Sequence, residues 1–334
     1  MTDTPKVVLL ILTWNRRDDV VRCLTSLSRV TYPNYVPVVI DNASSDGTVA
    51  ALRAQFPEVM VLENDRNYGY AGGNNVGIRW ALQHGADYVL VINNDTEATP
   101  GMIDELVRIA ESDPRIGVVG CRNVLMEDPR RLWGAYGRIT FGPFVVRVAG
   151  ERAIDGPQWQ VVRDVEWLIG NGYLWRRRAI ERIGLLDEQL FAYNEDVDWC
   201  LRARAAGFRV VYAGTAAILH RGGDGATPSR KRALMWYILG RNGVVLARRY
   251  GTLGQLLRFG VLCTAAWLAR LGRAGLRRII ARADASRAYW VGEVAAERAF
   301  GRGMLDAIRG RPIPFAQLDA HGSELPGASG IGAG

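Results

Sequence analysis

The feature that most constrains the fold of this chain is an apolar run that ends abruptly in polar residues, YVLVINNDT at residues 88–96. Its β-branched and aliphatic side chains predict a buried strand, and the polar residues after it predict a loop. Asp95 therefore lies at the carboxyl end of a strand. Ligands of open α/β sheets bind at that edge, where an Asp with neighbouring amides can hold a divalent cation or a phosphate-bearing ligand. An ordinary turn uses the same residue types, so both interpretations stay open here.

Strand-like and helix-like segments alternate through the first 120 residues. The predicted strands are at residues 7–12, 36–40, 59–62, 88–92 and 116–121. Helices are predicted after the cap Asn15, from about Ser45, after a glycine-rich loop at 67–73, and after Thr99 and Pro100. Such alternation predicts a parallel sheet with helices on both faces, a Rossmann-like half. Loops rich in Asp, Asn, Ser, Thr and Gly then meet at one edge of the sheet, as a polar ligand site requires.

The second half of the chain predicts further elements. Residues 165–175 resemble a strand interrupted by glycines, and residues 178–184 a helix. Asn194 is then predicted to cap a helix that buries Val197, Leu201 and Ala205, that ends at Gly207 and that leads into a strand from Arg209. Glu195 and Asp196 consequently lie in the first turn of that helix.

Composition and charge suggest two parts with different tasks. The net charge of +8 is concentrated between residues 226 and 311, where seventeen Lys or Arg accompany four acidic residues. The four cysteines form no CxxC pair, which favours a reducing, cytoplasmic setting over a disulfide or zinc framework. No stretch suits a signal peptide or a transmembrane helix. Residues 311–334 are rich in Gly, Ala, Ser and Pro, and we expect them to be disordered.

The basic region has the pattern of an amphipathic helix. Arg270, Arg273 and Arg277 share one predicted face, and an apolar set lies away from it: Leu268, Leu271, Leu276 and Ile279. This pattern suits the cytoplasmic membrane surface, although a dimerisation or packing helix with a solvated basic side would show it too. A nucleic-acid partner is not indicated, because no aromatic-plus-basic binding motif accompanies the charge.

Several motifs together resemble one enzyme family. They are LTWNR at 12–16, VIDNASSDGT at 39–48, NYGYAGGNNVG at 67–77, NNDT at 93–96, GLLDEQLFAYNEDVDWCLRARAAGF at 184–208, and His220. The chain resembles family 2 of the inverting, nucleotide-sugar-dependent glycosyltransferases, especially its bacterial rhamnosyltransferase-like members. The resemblance implies the α/β GT-A fold, in which a Rossmann-like nucleotide-binding half forms part of a mixed central sheet. We expect this domain at residues 1–225 and a basic helical extension at 226–310.

The resemblance also implies a nucleotide site. Asp41 would accept a hydrogen bond from the base, rather than only close an Asx turn, and the glycine-rich segment would let backbone amides approach the diphosphate. Neither GxGxxG nor GxxxxGK[ST] is present, so NAD and ATP are not implied. The expected nucleotide-binding residues are Thr13, Asn15, Asp41, Asn67, Gly69, Gly73, Asn74, Asn94 and Asp95.

A metal site follows from the same resemblance. Asp95 would be the sole carboxylate on Mg²⁺ or Mn²⁺, because Asn93 replaces the first acid of the family's DxD motif. The cation would neutralise the charge that develops on the departing nucleoside diphosphate. His220 is either a further metal ligand or a structural histidine, and Arg221 is an alternative clamp for the diphosphate.

The family's ED motif corresponds to Glu195 and Asp196, and Asp196 would be the catalytic base. The helix dipole favours acids in a first turn whatever they do, so a structural explanation also exists. Trp167, Asn171 and Trp175 lie where relatives meet the acceptor, although core packing explains the two tryptophans equally well.

The expected function is metal-dependent, inverting transfer of a sugar in cell-envelope polysaccharide synthesis. The first choice of donor, by resemblance, is dTDP-rhamnose, and UDP-hexoses including UDP-galactofuranose remain open. The acceptor would be a hydroxyl of a glycan or of a lipid-linked oligosaccharide at the inner face of the cell membrane. A non-catalytic scaffold for glycan assembly is the alternative. A nucleotidylyltransferase is less consistent with the sequence, because residues 12–16 lack a clear Gly-rich, basic signature.

Overall fold

The structure, a computed structural model, describes residues 4–221, 229–281 and 284–313. Most of the predicted disordered segment, from residue 314 onward, lies outside these residues. The described chain divides into two units, the first formed by residues 4–138, 148–191 and 195–221. The second comprises residues 139–147, 192–194 and the helices that follow.

A mixed sheet forms the centre of the first unit. The strands in chain order are β1 Val7–Thr13, β2 Tyr35–Asp41, β3 Met60–Glu63, β4 Tyr88–Asn93, β5 Thr96–Ala98, β6 Ile116–Leu125, β7 Leu132–Gly134, β8 Tyr136–Ile139, β9 Val146–Ala149, β10 Val162–Asp164, β11 Tyr173–Arg176 and β12 Arg209–His220. Of these, β8 and β9 form a separate two-stranded sheet. The order is β10-β12-β6-β11-β4-β1-β2-β3, with β5 paired to β12 and β7 to β6. The predicted Rossmann-like half within a mixed sheet is confirmed.

Strand direction brings the polar strand ends to one edge. Strands β1 to β4 pair in parallel, as do β6 and β12, whereas β11 lies antiparallel between β4 and β6. Thr13 therefore lies opposite Asp41, and Leu12 opposite Asn93. Because β11 runs the other way, the residues before it meet the same edge. Val7 to Ile11 are fully buried, as expected for strands covered by helices on both faces.

The helices of the first unit cover the sheet or follow its strands. They are α1 Arg17–Leu27, α2 Thr48–Gln55, α3 Gly69–Gln83, α4 Met102–Glu111, α5 Arg177–Ile183 and α6 Glu195–Ala205. The side chains that line the core face of α4 are Met102, Ile103, Leu106, Val107, Ile109 and Ala110. Among the described residues, we find no helix with the length and apolar character needed to cross a bilayer.

Some local predictions were wrong. Asn15 does not cap α1, which begins at Arg17, because Asn15 has a φ of 51° and its Oδ1 accepts the N–H of Ser45 instead. The strand predicted at 165–175 is reduced to β11, and Ala205 is exposed rather than buried.

The glycine-rich segment is a second correction, because most of it is helix rather than loop. α3 already begins at Gly69. A Cβ on Gly73 would lie 2.5 Å from Leu12 and 2.9 Å from the Asn42 Oδ1. The glycine therefore lets α3 lie close against the ends of β1 and β2, where a larger residue would push the helix away.

The second unit is helical, and the predicted C-terminal helical extension is confirmed. It contains α7 Ser229–Tyr250, α8 Leu253–Ile280 and α9 Asp284–Ile308. α7 packs along α9, and α8 packs against α9. Gly240 and Gly303 allow this close approach, since a Cβ at either position would meet the backbone of the neighbouring helix.

One arginine of the predicted basic face lies inside this unit. The Arg270 guanidinium is 5.1–5.3 Å from the ring centroids of Phe144, Trp236 and Phe300. Its Nε donates a 2.7 Å hydrogen bond to Glu297, whose pKa is raised by burial and lowered in part by Arg270. Arg273 and Arg277, which were predicted to share a face with Arg270, are exposed. The prediction therefore missed the buried ion pair that Arg270 forms.

Candidate active site

The candidate site lies at the carboxyl edge of the parallel strands. β1, β2, β4 and β12 end there in Thr13, Asp41, Asn93 and His220. The Asn94 Nδ2 donates to the Thr13 Oγ1 at 3.1 Å, which joins the loop after β4 to the end of β1. The edge therefore brings together residues far apart in sequence, as the strand order requires.

Asp41 presents a free acceptor from a rigid position. The residue is 2% exposed, and its Oδ2 accepts the backbone N–H of Ser44 at 2.8 Å. Its Oδ1 is buried without a hydrogen-bond partner among the described residues. A buried carboxylate oxygen with no partner is costly, which is the arrangement expected where a ligand supplies the missing donor.

Asn15 and Asn42 shape the loops on either side of Asp41. The Asn15 N–H donates to the Ser44 Oγ at 2.8 Å, in addition to the bond from Ser45 already described. Asn42 is 2% exposed and joins the end of β2 to the segment between β3 and α3. Its Nδ2 donates to Asn67 and to the Gly69 carbonyl, and its Oδ1 accepts from Asn64. Asn42 was not among the predicted site residues, because an Asn after a strand looks like any turn residue.

Two more asparagines of the glycine-rich segment were predicted site residues. The Asn67 Oδ1 accepts the N–H of Gly69 at 2.8 Å and so stabilises the start of α3. Asn74 is fully buried; its Nδ2 donates to the Tyr70 carbonyl, and its Oδ1 has no partner among the described residues. Asn74 thus offers an acceptor within α3.

A row of asparagine amides supports the end of β4. The Asn171 Oδ1 accepts the backbone N–H of Asn93 at 2.9 Å, and its Nδ2 donates to the Asn123 Oδ1 at 2.5 Å. Asn171 is 1% exposed. Because both ends of its amide are used within the protein, Asn171 positions the strand end that carries Asn94 and Asp95.

Asp95 and His220 are neighbours across the β5–β12 pairing. The Asp95 Oδ1 and the His220 Nε2 are 3.4 Å apart, and that oxygen has no hydrogen-bond partner in the described chain. No group of three or more His, Cys, Asp or Glu side chains is arranged for a metal within the described ranges. An unsatisfied carboxylate oxygen beside an imidazole nitrogen nevertheless suits a divalent cation whose other ligands come from a diphosphate and water.

A basic cleft adjoins these residues. It has a volume of about 390 Å³ and is lined by Asn15, Arg16, Arg17, Asp18, Asp19, Arg22, Asp46 and Arg221. The Arg221 Nη1 lies 2.7 Å from the Asp19 Oδ1, and Arg16 and Arg22 also approach Asp19. Four arginines and three aspartates line the cleft, which gives it a net charge of +1. The ion pair with Asp19 holds the Arg221 guanidinium at the cleft.

Asp19 was missed as a site residue, since an acid in a first helical turn is expected on dipole grounds alone. Burial raises the pKa of its carboxyl, the charge of Arg16 lowers it, and the charge of Asp95 raises it again. The signal that would have identified Asp19 as a site residue is the set of three arginines around its carboxylate. Asp19 is 6% exposed, and only the folded chain brings these arginines together.

Glu195 and Asp196 begin α6, as predicted. Phe191, Tyr193 and Asn194, which precede them, all have positive φ values of 60–73°. Strained backbone of this kind occurs at functional sites, where the surrounding structure holds it in place. The Asp196 Oδ2 accepts the N–H of Gly170 at 2.8 Å, so the catalytic-base candidate is connected to the residue next to Asn171.

The two acids differ in protonation. Burial raises the pKa of Asp196 to about 6, although hydrogen bonds from the Val197 and Gly170 amides oppose the shift. Burial, followed by the charge of Asp196, raises the pKa of Glu195 well above its usual range. The Glu195 Oε2 has no partner among the described residues. Near neutral pH, Asp196 is therefore the ionised member of the pair, and Glu195 carries the proton.

The two tryptophans predicted to meet the acceptor are both buried. Trp175 is 1% exposed and stacks on Trp199 with ring centroids 4.7 Å apart. Trp167 is 5% exposed and packs over Gly137, where a Cβ would clash with its indole ring. The two tryptophans therefore make core-packing contacts, the alternative that the sequence left open.

Comparison with known proteins identifies relatives of the chain. Residues 5–238 match the model of the family described as glycosyltransferase like family 2. An N-acetylglucosaminyl-diphospho-decaprenol L-rhamnosyltransferase of Mycobacterium tuberculosis is 32% identical over 243 residues, which cover 66% of this chain and 76% of the relative. The galactofuranosyltransferase GlfT1 of the same species is 28% identical over 226 residues, covering 65% and 70% of the two chains.

The fold also matches a solved structure. It is a mannosyltransferase of Pyrobaculum calidifontis in complex with GDP-Man and Mn²⁺, with a TM-score of 0.55 and 17% identity. The alignment covers 92% of this chain and 88% of the mannosyltransferase. This likeness concerns the fold, which is that of the GT-A glycosyltransferases.

The amide row generates a prediction about stability. Asn123→Ala and Asn171→Ala should each lower the free energy of unfolding by about 1–3 kcal/mol, because each leaves a buried amide partner unsatisfied. The double variant should lose less than the sum of the two, since the bond between the side chains is lost only once. Urea unfolding of the four proteins measures this coupling. Additive effects would show that the two amides do not act as a pair.

Proposed function

The chain belongs to glycosyltransferase like family 2, and we propose that it transfers a sugar from a nucleoside diphosphate donor to an acceptor hydroxyl with inversion at the anomeric carbon. The acceptor oxygen forms a bond to that carbon as the bond to the diphosphate breaks. The proton of the acceptor hydroxyl passes to the Asp196 carboxylate. A direct displacement of this kind requires one base, and the buried acid pair supplies one.

The observation that carries this proposal is the unequal pair at the start of α6. The bonds from Gly170 and Val197 orient the Asp196 carboxylate, which is ionised above a pH of about 6. Protonated Glu195 adds no second negative charge beside it. A non-catalytic scaffold would have no use for two acids buried side by side, because their burial costs stability.

The donor nucleotide would occupy the edge formed by β1, β2 and α3. The unpartnered Asp41 Oδ1 would accept a base N–H, and Thr13, Asn15 and Asn94 would line the pocket. The side chains of Asn67 and Asn74 would face the donor from the glycine-rich segment. The Gly69 N–H already donates to the Asn67 Oδ1, and Gly73 would serve the site by letting α3 lie close to the ends of β1 and β2. The diphosphate would reach the basic cleft, where Asp19 holds Arg221.

We further propose that Asp95 and His220 bind Mg²⁺ or Mn²⁺ together with the donor diphosphate. A divalent cation supplies charge neutralisation for the departing nucleoside diphosphate. Two protein ligands imply weak binding of the ion alone and stronger binding when phosphate oxygens complete its coordination. The Mn²⁺ complex of the structurally similar mannosyltransferase supports this use of a metal.

For the donor and acceptor, the relatives favour cell-envelope chemistry. We propose dTDP-rhamnose as the donor, because the rhamnosyltransferase relative is 32% identical. UDP-galactofuranose is the second choice, in line with the galactofuranosyltransferase relative. The acceptor would be a glycan or lipid-linked oligosaccharide at the inner face of the cell membrane, with the enzyme in the cytoplasm and bound peripherally through its basic helical part.

The acid pair provides the direct test of this function. Asp196→Asn should lower kcat by roughly 10²–10⁴-fold with donor binding retained, because the base is lost. Glu195→Gln is the matched control: it replaces a group that is already protonated and should retain most of the activity. Single-turnover assays with donor and acceptor, together with calorimetric nucleotide binding, separate the two effects. Equal losses in both variants would refute the assignment of Asp196 as the base.

The pKa of Asp196 also predicts a pH profile. A general base acts in its ionised form, so kcat/KM should rise about tenfold per pH unit below about pH 6 and level off above it. The Glu195→Gln variant should keep this single ionisation. A profile that falls between pH 5 and 7 as pH rises would indicate an acid in place of the base.

A further inference from the structure

One face of α8 carries a long apolar stripe that the rest of the described chain leaves exposed. Eight large aliphatic side chains on this helix are more than a third exposed: Leu253, Leu257, Val261, Leu262, Leu268, Leu276, Ile279 and Ile280. Several recur at intervals of three or four residues and so share one side of the helix. The buried residues of α8, Phe259, Cys263 and Ala274, lie on the other side.

The extent of the stripe sets it apart from ordinary surface. Exposed fractions are 73% at Leu253, 69% at Val261 and 81% at Ile279, so it spans nearly the whole length of the helix. Monomeric proteins seldom expose a contiguous apolar patch larger than a few hundred Å², and larger patches mark a protein or membrane contact. The stripe runs along a helix of 28 residues, which is about 42 Å long at 1.5 Å per residue.

Arginines border the stripe. With 100° between successive residues of an α-helix, Arg273 flanks the stripe on one side and Arg278 on the other, and Arg258 lies near the Arg273 side at the same angle as Leu276. All three are exposed, and α8 contains no acidic residue. The surface is therefore apolar along its centre and positive at both margins.

We propose that this face of α8 lies in the plane of a bilayer that contains anionic lipids. Its aliphatic side chains enter the boundary between headgroups and acyl chains, and the bordering arginines reach lipid phosphates with their charged ends. The helix rests on the membrane rather than crossing it, because the arginines interrupt its apolar sequence.

Charge decides between a membrane and a second copy of the chain. In a symmetric dimer built on this face, each α8 would meet another α8, and arginines would border arginines with no acid to offset them. Anionic headgroups supply the missing negative charge, at about 1 kcal/mol for each arginine near such a surface. An anionic bilayer therefore complements both the stripe and its margins.

This inference rests on the proposed function in one respect: a lipid-linked acceptor would give the enzyme a reason to be at the membrane. The contact itself needs neither donor nor acceptor. Vesicle binding and sugar transfer can consequently be measured separately, and the failure of one leaves the other standing.

A fluorescent probe on the stripe tests the proposal. All four native cysteines are buried, so an environment-sensitive dye attaches selectively to Val261→Cys. In the full-length protein its emission should shift to the blue with vesicles of equal parts phosphatidylcholine and phosphatidylglycerol. Ile154→Cys is the control, because Ile154 is 66% exposed but belongs to the first unit rather than to α8. No shift at position 261, or an equal shift at both positions, would overturn the inference.

Substitutions separate the apolar and charged contributions. The double variant Leu257→Glu with Val261→Glu should lower the binding to these vesicles at least about tenfold, whereas Ile154→Glu should not. Arg258→Gln with Arg278→Gln should weaken binding to the anionic vesicles roughly tenfold, and added salt should reproduce that loss. Since the replaced side chains are exposed, the variants should fold, which circular dichroism verifies.

A dimer would give a different pattern. Sedimentation would then show a concentration-dependent dimer that the Leu257→Glu, Val261→Glu variant converts to a monomer, with no vesicle binding by the wild type. That outcome would replace the membrane with a second copy of the chain. Transfer of the sugar to a soluble acceptor analogue should be the same in the wild type and in this variant. A failure of the proposed function can therefore be distinguished from a failure of the membrane contact.

Discussion

The short turn before β11 is the constraint on which the candidate site depends. Because β11 lies antiparallel between β4 and β6, residues 170–172 return to the edge where the parallel strands end. Gly170 donates its N–H to Asp196 and accepts a hydrogen bond from Tyr70 at its carbonyl. Asn171 holds the backbone of Asn93. One turn thus connects the start of α6, the helix α3 and the end of β4, which Asp95 follows.

The same turn explains why glycine is required there. Gly172 has a φ of 69°, and a Cβ at this position would lie 2.3 Å from the Cys121 sulfur. Its N–H donates to Val91 and its carbonyl accepts from Cys121, so the turn is bonded to strands on both sides. A rigid turn of this kind keeps the Asp196 carboxylate fixed relative to the end of β4, which is the preorganisation that the proposed catalytic base needs.

Much of the fold could be predicted from the sequence, because it rests on local periodicity. The buried runs at β1, β2 and β4 and the apolar face of α4 are visible as patterns, and their order indicates the Rossmann-like half. The position of Glu195 and Asp196 in a first helical turn was equally visible. The resemblance to a glycosyltransferase family, drawn from motifs spread over two thirds of the chain, is confirmed by the match of residues 5–238.

What could not be predicted depends on contacts between distant residues. Asp19 looked like a helix-start acid until Arg221 was found beside it, and Arg270 looked like a surface charge until three aromatic rings were found around it. Asn15 was assigned to its own helix, although its side chain bonds a neighbouring loop. The apolar face of α8 was predicted in part, at Leu268, Leu276 and Ile279, but its exposure was not, since periodicity reveals an apolar face and not whether another element covers it.

We propose that this sheet edge binds a nucleoside diphosphate through Asp41 and, with a metal, through Asp95. The most direct measurement is the thermal unfolding of the purified protein with dTDP, UDP, GDP or ADP, each with and without Mn²⁺. A ligand that binds only the folded state raises Tm. We expect a metal-dependent rise in Tm with dTDP or UDP, and loss of that rise in Asp95→Asn. If none of the four nucleotides raised Tm with or without the metal, the assignment of this edge as the donor site would be contradicted.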